Sequence, residues 1–219
     1  MAGSSPAVTG LVQIVEPAVP NALFRRAHRA LRRVGNAATY WRTFWFDFHD
    51  PQNVVEELAL SLRSHLPRGA KIAGVEWWIG RMRTTNVPLE FHHDRDLALY
   101  ESIGRVVHPS LSSVLFFNTV RGGSLLVTNQ TLVTKKGWRL QPASATHYAS
   151  VRPLPNRFAL FSGALYHGVL DANDELPHGR LSGKPASVRW SIVFNWWKRA
   201  PINTRRWSES RAYRALKSD

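Results

Sequence analysis

The sequence predicts an α+β, mainly β fold, with two N-terminal helices packed on a sandwich or barrel of short strands. Residues 21–35 and 50–66 carry apolar side chains at helical spacing. From residue 71 the runs become short and β-rich, separated by Gly, Pro and Asn. With 219 residues, 44% of them hydrophobic, the chain can form one domain with a substantial core. The division expected is 1–70 for an N-terminal strand and helices, 71–198 for the β core and 199–219 for a basic tail.

Residues 1–10, rich in Gly, Ser and Pro, read as a loose start. Residues 11–15 form a short strand candidate ended by Glu16-Pro17. In the first helix Leu23, Phe24, Ala27, Leu31 and Val34 share one side, and Arg25, Arg26, Arg29, Arg32 and Arg33 take the other. Asn21 is the expected cap and Gly35-Asn36 the expected stop. An Arg-rich amphipathic helix is also the pattern of a mitochondrial presequence, but the strand and prolines before it favour a core helix. Residues 40–48 are aromatic and read as core packing. The second helix is expected to start at Asp50-Pro51 and to stop at Pro67-Arg68-Gly69. Strands are expected at 72–83, 87–92, 111–118, 123–128, 132–134, 146–152, 157–162, 165–170 and 187–197, and a short helix around 207–217.

Cysteine is absent, so any metal must be held by N and O donors. No basic-then-apolar leader and no apolar run of ~18 residues is evident, which predicts a cytoplasmic protein without a membrane span. The net charge is +14, and its distribution is uneven. Residues 21–42 carry six Arg and no acid, and residues 198–219 carry seven Lys and Arg against two acids, so these flanks hold +11 of the excess. Such flanks are either solvated faces or docking surfaces for an anionic partner.

The chemistry centres on Phe91-His92-His93-Asp94-Arg95-Asp96. On an extended chain His92 and Asp94, two apart, point to one side. His167, far downstream, is the candidate third ligand. Two His and one carboxylate on one face of an ion leave the other positions open, which suits a non-haem Fe(II). His93 would point away. His28, His49, His65, His108, His147 and His178 lack a neighbouring donor at ligand spacing. In residues 187–197, Val188, Trp190, Ile192, Phe194 and Trp196 alternate with Arg189, Ser191, Val193 and Asn195. An inward guanidinium needs a counter-charge: a dianionic co-substrate, or an acid such as Glu76 or Glu90.

These segments together resemble the Fe(II)- and 2-oxoglutarate-dependent dioxygenases of the prolyl-4-hydroxylase-like type. The resemblance covers roughly residues 72–198. It rests on His92-x-Asp94, on residues 114–118 ending in Asn118 followed by Gly122-Gly123, on Arg157 to Phe161 followed by His167-Gly168, and on Arg189-x-Ser191. It implies a double-stranded β-helix (jelly-roll, cupin-like) core. It also implies His92, Asp94 and His167 as catalytic iron ligands, Arg189 and Ser191 as the anchor for 2-oxoglutarate, and O2 as the third reactant. Asp94, where halogenating relatives have a small residue, implies hydroxylation or another oxidative outcome rather than halogenation.

Two departures stand out. The interval from His167 to Arg189 is longer than in many relatives, and residues 171–186 read as a polar loop beside the iron, a candidate lid. Nucleic-acid demethylases of this fold carry a further Arg where this chain has Asn195. The substrate expected is therefore a small molecule or amino acid. The alternative is the same chemistry on a protein or nucleoprotein docked by the basic flanks.

Overall fold

The computed structural model describes residues 7–39, 41–133, 139–183 and 187–217. In chain order its elements are β1 (Ala7–Thr9), β2 (Val12–Val15), α1 (Asn21–Val34), β3 (Phe44–Phe46), α2 (Val54–Leu62), β4 (Gly74–Arg83), α3 (Leu97–Ile103), β5 (Leu111–Phe116), β6 (Leu125–Thr128), β7 (Thr131–Val133), β8 (Arg139–Gln141), β9 (Tyr148–Val151), β10 (Phe158–Ser162), β11 (His167–Val169) and β12 (Val188–Trp197). A major antiparallel sheet has the order β1-β2-β10-β5-β12-β4-β3, and a minor one β11-β6-β9. The two stack face to face as a double-stranded β-helix. No described helix is long and apolar enough to cross a membrane.

Period-two alternation explains the layering. Along β10, Phe158 and Leu160 enter the core beneath the helices, while Ala159 and Phe161 enter the core between the sheets. On β12, Ile192, Phe194 and Trp196 face the helices, and Val193 packs against the inter-sheet core. α1 buries Ala27, Ala30, Leu31 and Val34, and α2 buries Val55, Leu58 and Leu62, all on the helix-side core. The arginines of α1 face outward.

Several expectations are corrected. Residues 87–92 form no strand: Pro88 has no N–H to give a ladder, and only His92 makes an isolated pairing. The helix expected around 207–217 is two single 3₁₀ turns, Trp207–Glu209 and Arg214–Leu216. Tyr213 between them has φ +54°, which a continuous helix cannot contain. Asn21 lies inside α1, and Pro20 before it offers no capping side chain. Gly35 ends that helix as expected, with φ +56°. Asp50 sits at φ +48° and cannot cap α2. Asn53 caps instead, its Oδ1 accepting from Val55 N at 2.9 Å and Glu56 N at 3.1 Å. Part of the aromatic run is the strand β3, and Tyr40 lies outside the described residues. Helix α3 was not foreseen. Asp96 caps it through Leu99 N, and Gly104 ends it at φ +67°.

The Asn53 cap is wholly buried, so Asn53→Ala should cost about 1–2 kcal/mol of stability. Denaturant titration of the two proteins would measure it.

Candidate metal centre

The segment carrying His92 lies antiparallel to β11, extending the minor sheet by one residue pair. His92 N donates to His167 O at 2.9 Å, and His167 N donates to His92 O at 3.0 Å. This pairing sets the two rings side by side, with centroids 4.7 Å apart. Gly168 permits the approach, because a Cβ there would stand 2.4 Å from the Phe91 ring. Each Nδ1 is engaged by the carbonyl two residues earlier: His92 with Glu90 O at 2.8 Å, His167 with Leu165 O at 2.9 Å. A proton on each Nδ1 leaves each Nε2 lone pair facing the shared point.

Asp94 closes the triangle. Its Oδ1 is 3.6 Å from His92 Nε2, and its Oδ2 is 3.4 Å from His167 Nε2. One ligand atom from each of the three lies within 4.8 Å of the others. Donors about 2.1 Å from a common ion at right angles stand about 3 Å apart, so the triangle fits a six-coordinate ion held on one face. Burial opposes ionisation of Asp94, but the His167 and His92 imidazoles and the Ser112 hydroxyl outweigh it and hold its carboxyl well below the usual range. Ser112 Oγ donates to Asp94 Oδ2 at 2.6 Å, and His108 Nδ1 meets the Asp94 backbone carbonyl at 2.6 Å.

His93 is not brought to this point. Its ring packs 5.0 Å from Tyr166 and 5.8 Å from His108, and burial, then His108, push it down to about 4. His65 and His178 also stand apart from the triangle: His65 binds the Ala18 carbonyl, and His178 lines an outer cavity.

Arg189 and Ser191 enter the cavity that His92 and His167 also line. Arg189 is 2% exposed. Its Nη1 donates to Ser191 Oγ at 3.1 Å, its guanidinium lies 4.9 Å from the Phe116 ring centre, and its Nε has no hydrogen-bond partner. No carboxylate among the described residues pairs with it, so neither Glu76 nor Glu90 supplies the counter-charge. Burial lowers its pKa to about 10, which leaves it charged at neutral pH. Ser191 Oγ also donates to Gly80 O, and a Cβ on Gly80 would lie 2.5 Å from that hydroxyl. Asn118 fixes the strand on both sides of the arginine. Its Nδ2 donates to Val188 O at 2.8 Å, and its Oδ1 accepts from Trp190 N at 2.9 Å.

Sequence reasoning assigned no role to Ser112, Asp96 or His108. Ser112 was legible in principle, because it shares the inward face of β5 with Val114 and Phe116. Asp96 is 1% exposed and takes Leu99 N, Ile202 N at 3.2 Å and Arg199 Nη1 at 3.1 Å. The last two partners are distant in sequence.

No protein-family model matches the chain, and no curated protein does. Solved structures do. A prolyl-4-hydroxylase from Pseudomonas putida aligns with TM-score 0.51 at 17% identity, over 88% of this chain and 95% of that one. HygX from Streptomyces hygroscopicus, solved with nickel and 2-oxoglutarate bound, aligns with TM-score 0.50 at 14% identity, over 90% of this chain and 85% of that one. The chain shares their fold.

Glu76 on β4 gives a pH test of the layer beneath the centre. Burial, with Asp94 and Asp96 nearby, pushes its carboxyl from 4.5 up to about 7. The folded state therefore holds a proton between those values that the unfolded state has lost, and stability falls as pH rises through them. Metal-free Glu76→Gln should lose less melting temperature than the parent between about pH 5 and pH 8. Parallel melting curves would show it.

Proposed function

We propose that the chain is an Fe(II)- and 2-oxoglutarate-dependent dioxygenase that hydroxylates an unactivated C–H bond of a small molecule or amino acid. One observation carries the reading: His92 and His167, which form a metal-sized triangle with Asp94, share a cavity with a buried, unpaired guanidinium. A metal alone would not explain Arg189, and an anion alone would not explain the triangle. Bound iron would supply open positions at which O2 is reduced at the expense of 2-oxoglutarate, giving succinate, CO2 and a hydroxylated product.

The chain's own residues have separable tasks in this reading. His92, Asp94 and His167 hold the ion on one face, and the fixed Nδ1 contacts keep both imidazoles aimed. Arg189 and Ser191 take the far carboxylate of 2-oxoglutarate, an exchange that gives the buried cation its counter-charge. Val114, Leu125, Phe161 and Val169 make the wall apolar, which excludes water from the reacting centre. The space is narrow, about 40 Å³, so a five-carbon diacid must push side chains apart. Met82, unbranched and flexible, is the wall residue best suited to yield.

A cavity of about 710 Å³ opens outside, lined by Leu89, Phe91, Tyr148, Tyr166, Leu176 and His178 among others. Leu89 belongs to both spaces. Its volume is within the range of small-molecule sites, and this supports a small substrate. Residues 171–183 contribute one wall. Asp171 ties the start of that loop, its backbone carbonyl accepting from Gly123 N at 2.9 Å. Residues 184–186 lie outside the described residues.

Succinate formation from 2-oxoglutarate with Fe(II), assayed against pools of amino acids and small metabolites, tests the reaction class. Alanine at His92, Asp94 or His167 should remove both bound iron and succinate formation. Arg189→Ala should keep iron, measured by metal content, and weaken 2-oxoglutarate binding by about 2–5 kcal/mol. Ser191→Ala should cost about 1 kcal/mol. Unaltered 2-oxoglutarate binding in Arg189→Ala would refute the anchor.

The lid role of 171–183 has its own test. Amide hydrogen exchange there should slow when iron, 2-oxoglutarate and substrate are added. Equal protection with and without ligands would make the loop a fixed wall.

A further inference from the structure

Beyond the iron centre, a second groove of about 610 Å³ lies between residues 41–44 and 203–212. Arg42, Arg205 and Arg211 line it, with Thr43, Asn203 and Ser210 supplying further polar groups. No acidic side chain lines it. The nearby carboxylates are directed elsewhere: Asp47 pairs with Arg206, and Glu209 accepts from Arg206 N. Arg42 is fixed over the Tyr213 ring at 5.5 Å, and Tyr213 is itself held by Thr39 N through its hydroxyl at 3.0 Å. The guanidinium thus stands on a rigid aromatic base.

Two features extend the groove. At one end is Trp41, 76% exposed, which also lines the cavity containing Leu89, Phe91 and His92. At the other end, residues 211–215 lead to α1, where Arg33 Nη2 donates to Ala215 O at 3.3 Å. Arg214, next to Ala215, is also exposed and has no ion pair among the described residues. The groove cations thus form a track that starts beside a cavity containing His92 and leads through residues 211–215 toward Arg33 on α1.

We infer that this track binds single-stranded nucleic acid, with a base stacked on Trp41 and consecutive phosphates on Arg42, Arg205 and Arg211. A polymer is favoured over a single phosphorylated molecule because the cations continue past the groove to Arg214 and Arg33. An unpaired strand is favoured over a duplex because only unpaired bases offer a face to an exposed indole. A lipid surface is disfavoured because the apolar side of α1 is already buried against the sheet, which leaves nothing to insert. The iron centre is not needed for this binding, so the inference stands or falls apart from the proposed reaction.

The test is fluorescence anisotropy of a labelled oligothymidylate of about 15 nucleotides with the full chain, iron-loaded and metal-free, between about 50 and about 200 mM salt. The variant is Arg42→Gln/Arg205→Gln/Arg211→Gln, and the charge-matched control is Arg68→Gln/Arg105→Gln/Arg121→Gln. Circular dichroism reports folding of both. The groove variant should bind about tenfold or more weakly, with a salt slope shallower by about 2, since each single-strand phosphate contact contributes about 0.7. Trp41→Ala should weaken binding about fivefold or more while leaving the slope unchanged. The control should bind like the parent. Equal losses in control and groove variant would overturn the inference, as would duplex binding as tight as single-strand binding. Association with phosphatidylserine vesicles that is lost in the groove variant, without oligonucleotide binding in the parent, would assign the track to membranes instead.

Discussion

The centre depends on two main-chain hydrogen bonds between His92 and His167. Neither segment has a long ladder of its own. Residues 87–92 are interrupted by Pro88, and β11 is three residues long. The reciprocal pairing joins them at the one position where each presents an imidazole on the same side. Asp94, two residues on, then returns to that side because the chain is still extended. The carboxylate does not wait for a cation to be fixed. Ser112 holds one oxygen and His108 holds the backbone, so the triangle is organised from behind by β5 and by the turn before it. Ligand geometry tuned by such outer partners is what gives a metal site its aim.

The other end of the cavity obeys a different constraint. A guanidinium 2% exposed on a central strand is costly without an anion. The fold keeps it by holding β12 rigidly: β4 pairs along its full length, β5 flanks it, and Asn118 replaces missing ladder partners on either side of Arg189. Gly80 and Gly123 leave room where a side chain would collide with Ser191 or approach the Arg189 stem. Gly123, half of the Gly122-Gly123 motif, thus has a packing reason independent of any relative. The unmet charge of Arg189 favours an anionic group, rather than a neutral one, beside it.

How much of this was legible in the sequence depends on the range of the interaction. Period-two alternation on β12 put Arg189 and Ser191 on one face correctly, and the i, i+2 spacing of His92 and Asp94 was enough to aim them together. Both are local geometry. The start of α2 was misread because Asp50-Pro51 carries a strong local signal, while the real cap, Asn53, is decided by Asp50 adopting a positive φ. The C-terminal helix failed for a similar reason at Tyr213. Asp96 was visible only as a second acid in a motif. Its partners Arg199 and Ile202 come from the far end of the chain, and no periodicity announces them.

That last contact bears on how the basic flanks can be studied. Truncating the chain after β12 looks like a clean way to remove charge, but residues 198–217 are tied into the body. Arg199 and Ile202 N both hold the buried Asp96, which caps α3 two residues after the candidate ligand Asp94. Trp207, Tyr213 and Leu216 complete the core beneath α1 and α2. Removing them would unseat the helices and free the segment carrying the candidate metal ligands at once, so a loss of activity would not report on charge. Arg205, Arg211 and Arg214, by contrast, are exposed to solvent. Substituting the charges while keeping the anchors separates electrostatics from architecture, and only that experiment can say whether the excess positive charge serves the chemistry or a second task.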